Sequence, residues 1–125
     1  MAQTEVLFIA DDLNSINVAW RHFAYSDYSV RATTLVESGM ECFEGTRVPQ
    51  VVVYYCNAAS KNLINLYRTI REDPRSANVP LIVLADFQEQ KTLLEYFKLE
   101  NTYVVGISID DSKLKEIVRK AVRKR

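Results

Sequence analysis

The chain has 125 residues, the size of a single domain, and 48% of them are hydrophobic, which is enough to build a core. Its 16 Lys+Arg balance its 16 Asp+Glu, so no overall charge draws it to nucleic acid or to an anionic membrane. The three glycines, Gly39, Gly45 and Gly106, are too far apart for a dinucleotide-binding fingerprint or a Walker A loop, which excludes those two classes of nucleotide enzyme.

The cysteines and the apolar runs indicate the compartment. Cys42 and Cys56 lack the close spacing of a metal motif, and residues 1–5 lack the charged start and apolar run of a signal peptide. No apolar stretch approaches the roughly 18–20 residues that span a membrane. We therefore expect a cytoplasmic protein without a membrane segment.

The first half of the chain alternates apolar runs with amphipathic stretches. Val6–Ala10 is continuously apolar, which predicts a strand buried on both faces, and Asp12 can cap a helix after it. Residues 28–32 alternate apolar and polar side chains, which predicts a strand at the edge of a sheet. Thr34 then begins a capping-box pattern that predicts a second helix, running through Phe43.

The strongest strand signal is Val51–Cys56, six apolar residues that we expect at the centre of the sheet. Ser60 caps the third predicted helix, whose apolar residues recur at helical spacing. The Asp73-Pro74 pair ends it, because proline cannot continue a helix.

Two further strands and two helices complete the chain. Leu81–Ala85 predicts a buried strand, and Asp86 caps the helix after it. Tyr103–Ile107 predicts the last strand. Asp111 is the predicted cap of the last helix, which carries the clearest apolar stripe in the chain.

Five strands that alternate with five helices predict an α/β fold, a doubly wound parallel sheet of the flavodoxin-like type with strand order 2-1-3-4-5. We expect the first and fifth helices on one face and the other three on the opposite face. In such a sheet, ligands bind beyond the carboxyl ends of the first and third strands, where the winding reverses.

Four segments together resemble the receiver domain of two-component response regulators. They are Val6–Asp12, Arg71–Pro74, Val79–Leu84 and Tyr103–Val105. Their order and spacing extend over essentially the whole chain, so the resemblance implies one receiver-like domain over residues 1–125. It agrees with the fold expected from the alternation of strands and helices.

The resemblance implies a chemistry that can be checked residue by residue. In receiver domains a carboxylate at the end of the third strand takes a phosphoryl group from phosphohistidine, and nearby acids hold Mg²⁺. An ungapped alignment places Tyr55 at this phospho-acceptor position. A phenol cannot form an acyl phosphate. The chain therefore resembles a degenerate receiver, or pseudo-receiver.

The family's switch positions are also changed. Ala85 stands where receivers have Thr or Ser, and Gly106 stands where they have a lysine that contacts the phosphoryl group. Tyr103 matches the family's aromatic switch residue. The resemblance thus implies that the last strand keeps the aromatic switch residue, while the side chains that contact the phosphoryl group are absent.

The metal site of the family is only partly matched. Asp11 matches one member of the acidic pair, Ala10 replaces the other, and Asp12 falls one place later. Asn57 lies where the family contributes only a backbone carbonyl. A hard cation needs more oxygen ligands than two side chains supply, so we expect at most weak Mg²⁺ binding and no other cofactor.

These residues predict a non-enzymatic signalling module that binds a partner protein independently of phosphorylation. By resemblance, the partner is a histidine kinase or an output protein. The predicted interaction face comprises Phe87, Lys91, an exposed Tyr103, Lys113 and parts of the last helix. We do not expect nucleic acid as a partner, because no aromatic residues interleave with the cations of that helix. The oligomeric state stays open.

Two alternatives belong to other functional classes. The first is a phospho-accepting response regulator of a phosphorelay that uses a displaced carboxylate, Asp86 or Asp11. The second is a binder of a small ligand such as FMN. It is disfavoured because the acidic loop Asp11–Asn14 would repel a phosphate.

Overall fold

A computed structural model describes residues 4–10, 17, 21, 23, 28–34, 48–56, 61–85, 101–106 and 109–123. Its strands are β1 (Thr4–Ala10), β2 (Tyr28–Thr34), β3 (Val51–Cys56), β4 (Leu81–Ala85) and β5 (Thr102–Gly106). Its helices within these ranges are α1 (Lys61–Glu72) and α2 (Asp111–Arg123). Asn17, Arg21 and Phe23 are helical, as expected of the first predicted helix. The predicted helices that begin at Thr34 and Asp86 lie almost wholly outside the described residues.

The five strands form one parallel sheet in the order β2-β1-β3-β4-β5, which confirms the predicted topology. β3 lies at the centre, as its six apolar residues predicted, and β2 lies at an edge. The predicted last strand is shifted by one residue, since β5 begins at Thr102 and ends at Gly106.

Side chains that alternate along the strands build two apolar clusters, one on each face of the sheet. The α1-side cluster has as its buried members Leu7, Ile9, Val52, Tyr54, Ile70, Val79, Leu81, Val83 and Ala85. The α2-side cluster has as its buried members Val6, Phe8, Ala10, Phe23, Val51, Val53, Ile82, Leu84, Leu114 and Val118. Since β1, β3 and β4 contribute to both clusters, they are apolar in runs rather than in alternation.

The helices cover opposite faces, as predicted. Ile70 of α1 belongs to one cluster, whereas Leu114 and Val118 of α2 belong to the other. Phe23, the described buried residue of the first predicted helix, lies in the α2-side cluster, the face on which that helix was expected. Neither α1 nor α2 is long and apolar enough to cross a bilayer.

The cap of α2 differs from the prediction. The backbone N–H of Lys113 donates to Oδ1 of Asp110 at 2.9 Å, and the N–H of Leu114 donates to the Asp110 carbonyl at 3.0 Å. These two bonds make Asp110 the N-cap, because a cap residue satisfies the unpaired amides of the first turn. Asp111 is instead the first helical residue, where a carboxylate favours the helix dipole.

An arginine holds the amino edge of the sheet together. Nη1 of Arg71 donates to the carbonyls of Ala77 at 3.2 Å and Val79 at 2.6 Å, and Nη2 donates to the carbonyl of Asn101 at 3.1 Å. The guanidinium also lies 5.2 Å from the ring centroid of Tyr67, within cation-π range. Arg71 thus joins α1, the loop before β4 and the residue that precedes β5.

Asn101 supports the same junction from the other side. Its φ of 53° is left-handed, a conformation that asparagine tolerates better than most residues. Its Nδ2 donates to the Asn78 carbonyl at 2.8 Å, and its carbonyl accepts the Leu81 N–H at 3.0 Å. The turn before β5 is therefore fixed against the loop before β4.

The end of α1 is closed by a local turn. Asp73 accepts the backbone N–H of Arg75 at 2.9 Å and pairs with its guanidinium at 3.0 Å. These bonds hold the pKa of Asp73 below its ordinary value of 3.8. The buried hydroxyl of Ser76 donates to the Ile70 carbonyl at 2.9 Å, which satisfies a group at the helix end.

We expect Arg71→Ala to lower the free energy of unfolding by about 2 kcal/mol or more, because three carbonyls lose a charged donor. Urea denaturation measures the loss. Arg68, exposed on the same helix, supplies the control: Arg68→Ala should stay within about 0.5 kcal/mol of the unmodified chain. Equal effects of the two substitutions would contradict the role assigned to Arg71.

The lowered pKa of Asp73 predicts a pH dependence. Its carboxylate stabilises the fold above pH 3.8, and this contribution is lost as the pH falls through the lower pKa of the folded state. The melting temperature of the unmodified chain should therefore exceed that of Asp73→Ala at pH 6, and the difference should shrink toward pH 2. A difference that grows on acidification would contradict it.

Candidate functional site

The carboxyl edge of the sheet is where the sequence places the functional site. The pairing aligns Ala10 with Tyr55, and Tyr55 with Leu84. One residue further along, Cys56 aligns with Ala85, and Ala85 with Gly106. The register therefore brings three predicted site positions, Tyr55, Ala85 and Gly106, onto neighbouring strands at one edge.

Tyr55, the residue that the resemblance assigns to the phospho-acceptor position, is the last but one residue of β3, and its ring is used for packing. It is half-buried and packs against the α2-side cluster. Its ring centroid lies 6.5 Å from that of Phe8, with the planes tilted by 32°. This distance is within the range of favourable aromatic pairs, so the side chain extends the apolar core toward the edge.

Ala85 and Gly106 leave the neighbouring strand ends without polar side chains. Ala85 is fully buried in the α1-side cluster, on the face opposite Tyr55. Gly106 has no side chain, and its carbonyl accepts the N–H of Ile109 at 3.1 Å. Neither position supplies a hydroxyl or an ammonium group.

The described part of this edge therefore offers few side chains for catalysis or metal binding. The described strand ends Ala10, Thr34, Cys56, Ala85 and Gly106 carry no carboxylate, imidazole or ammonium group. Within the described ranges, no group of three or more metal-ligating residues is found. The candidate metal ligands Asp11, Asp12 and Asn57 lie outside the described residues, as does the alternative acceptor Asp86.

The second candidate site is the predicted interaction face around β5 and α2. Lys113 is exposed, as expected. Tyr103, the second residue of β5, pairs with Ile82 and is half-buried against the α2-side cluster, so the expectation of an exposed aromatic is only partly met. Tyr103 faces the cluster that α2 covers, so its side chain packs against that cluster and is only partly exposed to solvent. Phe87 and Lys91 lie outside the described residues.

The sequence alone placed parts of the last helix beside Tyr103 but did not specify which flank of α2 they form. Ile117 is half-buried there and Lys120 is exposed. The signal that could have found them is their spacing from Lys113, which places all three residues on one side of a helix.

Comparison with solved structures shows the same fold. A sensor protein from Polaromonas sp. JS666 superposes with a TM-score of 0.81 at 15% identity, covering 98% of each chain. The receiver domain of a sensor histidine kinase from Pseudomonas aeruginosa PAO1, which holds a magnesium ion in its active site cleft, gives 0.79 at 17% identity, over 98% of this chain and 99% of that one.

The chemotaxis response regulator CheY4 of Vibrio cholerae is also similar, with a TM-score of 0.79 at 11% identity, over 96% of this chain and 99% of that one. No family model and no curated protein matches the sequence. At these identities the likeness concerns architecture, so the chain has the fold of response regulator receiver domains.

The packing of Tyr55 predicts the effect of restoring a carboxylate there. Tyr55→Asp should lower the free energy of unfolding by about 2 kcal/mol or more, because an aromatic contact is lost and a charge enters an apolar cluster. Tyr55→Phe keeps the ring and should stay within about 1 kcal/mol of the unmodified chain. Chemical denaturation of the three proteins measures both values. If Tyr55→Asp left the free energy of unfolding unchanged, the side chain at position 55 would not contribute to packing.

Proposed function

We propose that the chain is a receiver-like signalling module that binds a partner protein in the cytoplasm without phosphotransfer. The observation that carries the proposal is the packing of Tyr55: a half-buried ring near Phe8, next to the end of β3, takes the position that the resemblance assigns to the acceptor carboxylate. The module is not an enzyme.

The absence of a carboxylate at Tyr55 matters because the acyl phosphate is a mixed anhydride. It requires a carboxylate oxygen to attack phosphorus, and a phenol would give a phosphate ester instead. Ala85 and Gly106 support the same conclusion, because neither can donate to a phosphoryl group through its side chain. At three neighbouring positions, the side chain thus lacks the group that phosphotransfer would use.

Metal binding is proposed to be weak for the same reason. The neighbour from Pseudomonas aeruginosa holds magnesium in its active site cleft. In this chain the described strand ends offer no carboxylate that could complete such a site. Asp11, Asp12 and Asn57 would be the ligands of any residual Mg²⁺, and no other cofactor is proposed.

The partner is proposed to be a signalling protein, either a histidine kinase or an output protein. Its binding surface is formed by β5 and α2, where Tyr103 and Lys113 lie. This surface does not depend on a phosphoryl group, since Tyr103 is already packed against the α2-side cluster. A surface in this state binds constitutively.

We expect no adduct when the chain is incubated with acetyl phosphate and Mg²⁺. Intact mass spectrometry checks this, with hydroxylamine treatment to identify an acyl phosphate. A phosphate-sized mass gain that hydroxylamine removes would overturn the proposal. Loss of that adduct in Asp86→Asn or Asp11→Asn would then identify a displaced acceptor.

A further inference from the structure

The strand β2 lies at one edge of the sheet, and its outer side carries unpaired backbone groups. Its seven residues, Tyr28–Thr34, pair with β1 along their whole length. Within the described ranges, no strand pairs with the other side of β2. Alternate residues of such a strand direct their N–H and C=O groups away from the sheet, which makes the edge a template for another extended chain.

This edge lacks most of the features that prevent strands from pairing. Natural sheets protect their edges with short strands, prolines, bulges or charged side chains. β2 is longer than the usual strand of about 5–6 residues, contains no proline and pairs with β1 in unbroken register. Its one charged residue is Arg31. Which strands the edge can accept therefore depends on what Arg31 requires.

The two faces of β2 differ in polarity. On one face, three half-buried residues pack against the α2-side cluster, namely Tyr28, Val30 and Ala32. Ser29 and Arg31 alternate with them and so face the α1 side of the sheet. A strand added beside β2 would place its own side chains next to these, apolar on one face and polar on the other.

Arg31 carries a buried donor that is not satisfied. It is aligned with Leu7 of β1, a buried member of the α1-side cluster. Its Nη2 is buried and, in the part of the chain that the structure describes, has no hydrogen-bond partner. Glu5 of β1 is aligned with Ser29 and does not accept a bond from this nitrogen. A buried charged donor without a partner costs stability, and a carboxylate beside Nη2 would remove that cost through a charge-assisted bond.

We propose that the outer edge of β2 binds an extended acidic segment of a partner protein, which joins the sheet as a further strand and places a carboxylate beside Arg31. The segment would carry apolar residues immediately before and after its acid, because these would lie beside Val30 and Ala32. Backbone hydrogen bonds along β2 would supply affinity, and Arg31 would select the acid. β2 and β5 lie at opposite edges of the sheet, so this site is separate from the surface of the proposed function.

A second copy of the chain fits this edge less well. Residues 28–34 contain no acid, so two β2 strands paired with each other would bring no carboxylate to either arginine. Antiparallel pairing centred on Arg31 would place two guanidinium groups side by side, and like charges directly opposite each other destabilise a strand pair. The charge that opposes self-association thus favours an acidic partner.

The test uses the whole chain and short palindromic peptides. The first peptide has a central glutamate with alternating valine and threonine on each side, so it reads the same in both directions and fits either strand orientation. The second replaces the glutamate by glutamine. Fluorescence anisotropy should show the glutamate peptide binding about tenfold tighter or more, because a hydrogen bond between two charged groups is stronger than one with a neutral partner.

Backbone methylation tests whether the peptide binds as a strand. Methyl groups on the N atoms of the glutamate and of every second residue from it block one side of the extended peptide, and methyl groups on the remaining residues block the other side. Only the side that faces β2 needs its N–H groups. One methylated peptide should therefore bind about as well as the unmethylated peptide, and the other about tenfold more weakly or worse. Equal affinities of the two would contradict strand addition.

Matched variants test the role of Arg31. Arg31→Met keeps a long side chain without its charge, so it should bind the glutamate and glutamine peptides equally. Arg68→Met makes the same change at an exposed arginine of α1 and should keep the tenfold preference. Arg31→Met should fold, because replacing an unpaired buried charge by an apolar side chain is often neutral or stabilising, and circular dichroism checks this. Arg31→Glu should instead prefer a peptide with a central lysine.

Other outcomes would assign the edge to a different occupant or to none. A preference for glutamate that survives Arg31→Met would overturn the proposal, as would failure of both peptides to bind. Free N-acetylglutamate that binds as tightly as the peptide would make Arg31 a site for a small anion. A dimer that the peptide dissociates in light-scattering measurements would mean that a second copy occupies the edge.

Discussion

Burial of β1, β3 and β4 on both faces is the constraint on which the rest of the structure depends. A parallel strand that is buried on both faces is apolar at nearly every position. Helices must pack on both faces of the sheet to cover it. Val51–Tyr54 satisfies this with four fully buried residues. Because helices cover both faces of the sheet, polar and charged side chains can reach solvent mainly at the edges of the sheet and on the outer sides of the helices.

Polar groups have different roles at the two ends of the sheet. At the amino edge Arg71 and Asn101 satisfy carbonyls of the loop before β4, so the polarity there is used for structure. At the carboxyl edge the described residues include a packed ring at Tyr55, next to the end of β3, and an alanine at Ala85, the end of β4. The segment Arg71–Pro74, which carries part of the resemblance to receiver domains, is thus explained by the amino edge. Its hydrogen bonds contribute to the stability of the scaffold.

The sequence was sufficient for the topology because apolar periodicity encodes burial directly. Val51–Cys56 favoured a central strand because it is short, continuously apolar and rich in valine and tyrosine, and the alternation over residues 28–32 favoured a half-covered strand. The finer errors arose where neighbouring residues offer the same chemistry. Asp110 and Asp111 are both carboxylates beside a helix start, and only the hydrogen bond to the Lys113 N–H distinguishes the cap. The partial burial of Tyr103 was likewise invisible, because it depends on α2 lying across the face that this side chain shares.

That shared face connects the two candidate sites. Tyr55 is aligned with Leu84, and Leu84 with Val105, so side chains of one cluster run from the carboxyl edge to β5, where Tyr103 follows on the same face. In the proposed function no phosphoryl group is added at this edge, so no change of charge there biases the cluster between two packings. Tyr55 is instead part of the packing. In the proposed function, this packing holds β5 and α2 in one arrangement, as a binding surface independent of phosphorylation requires.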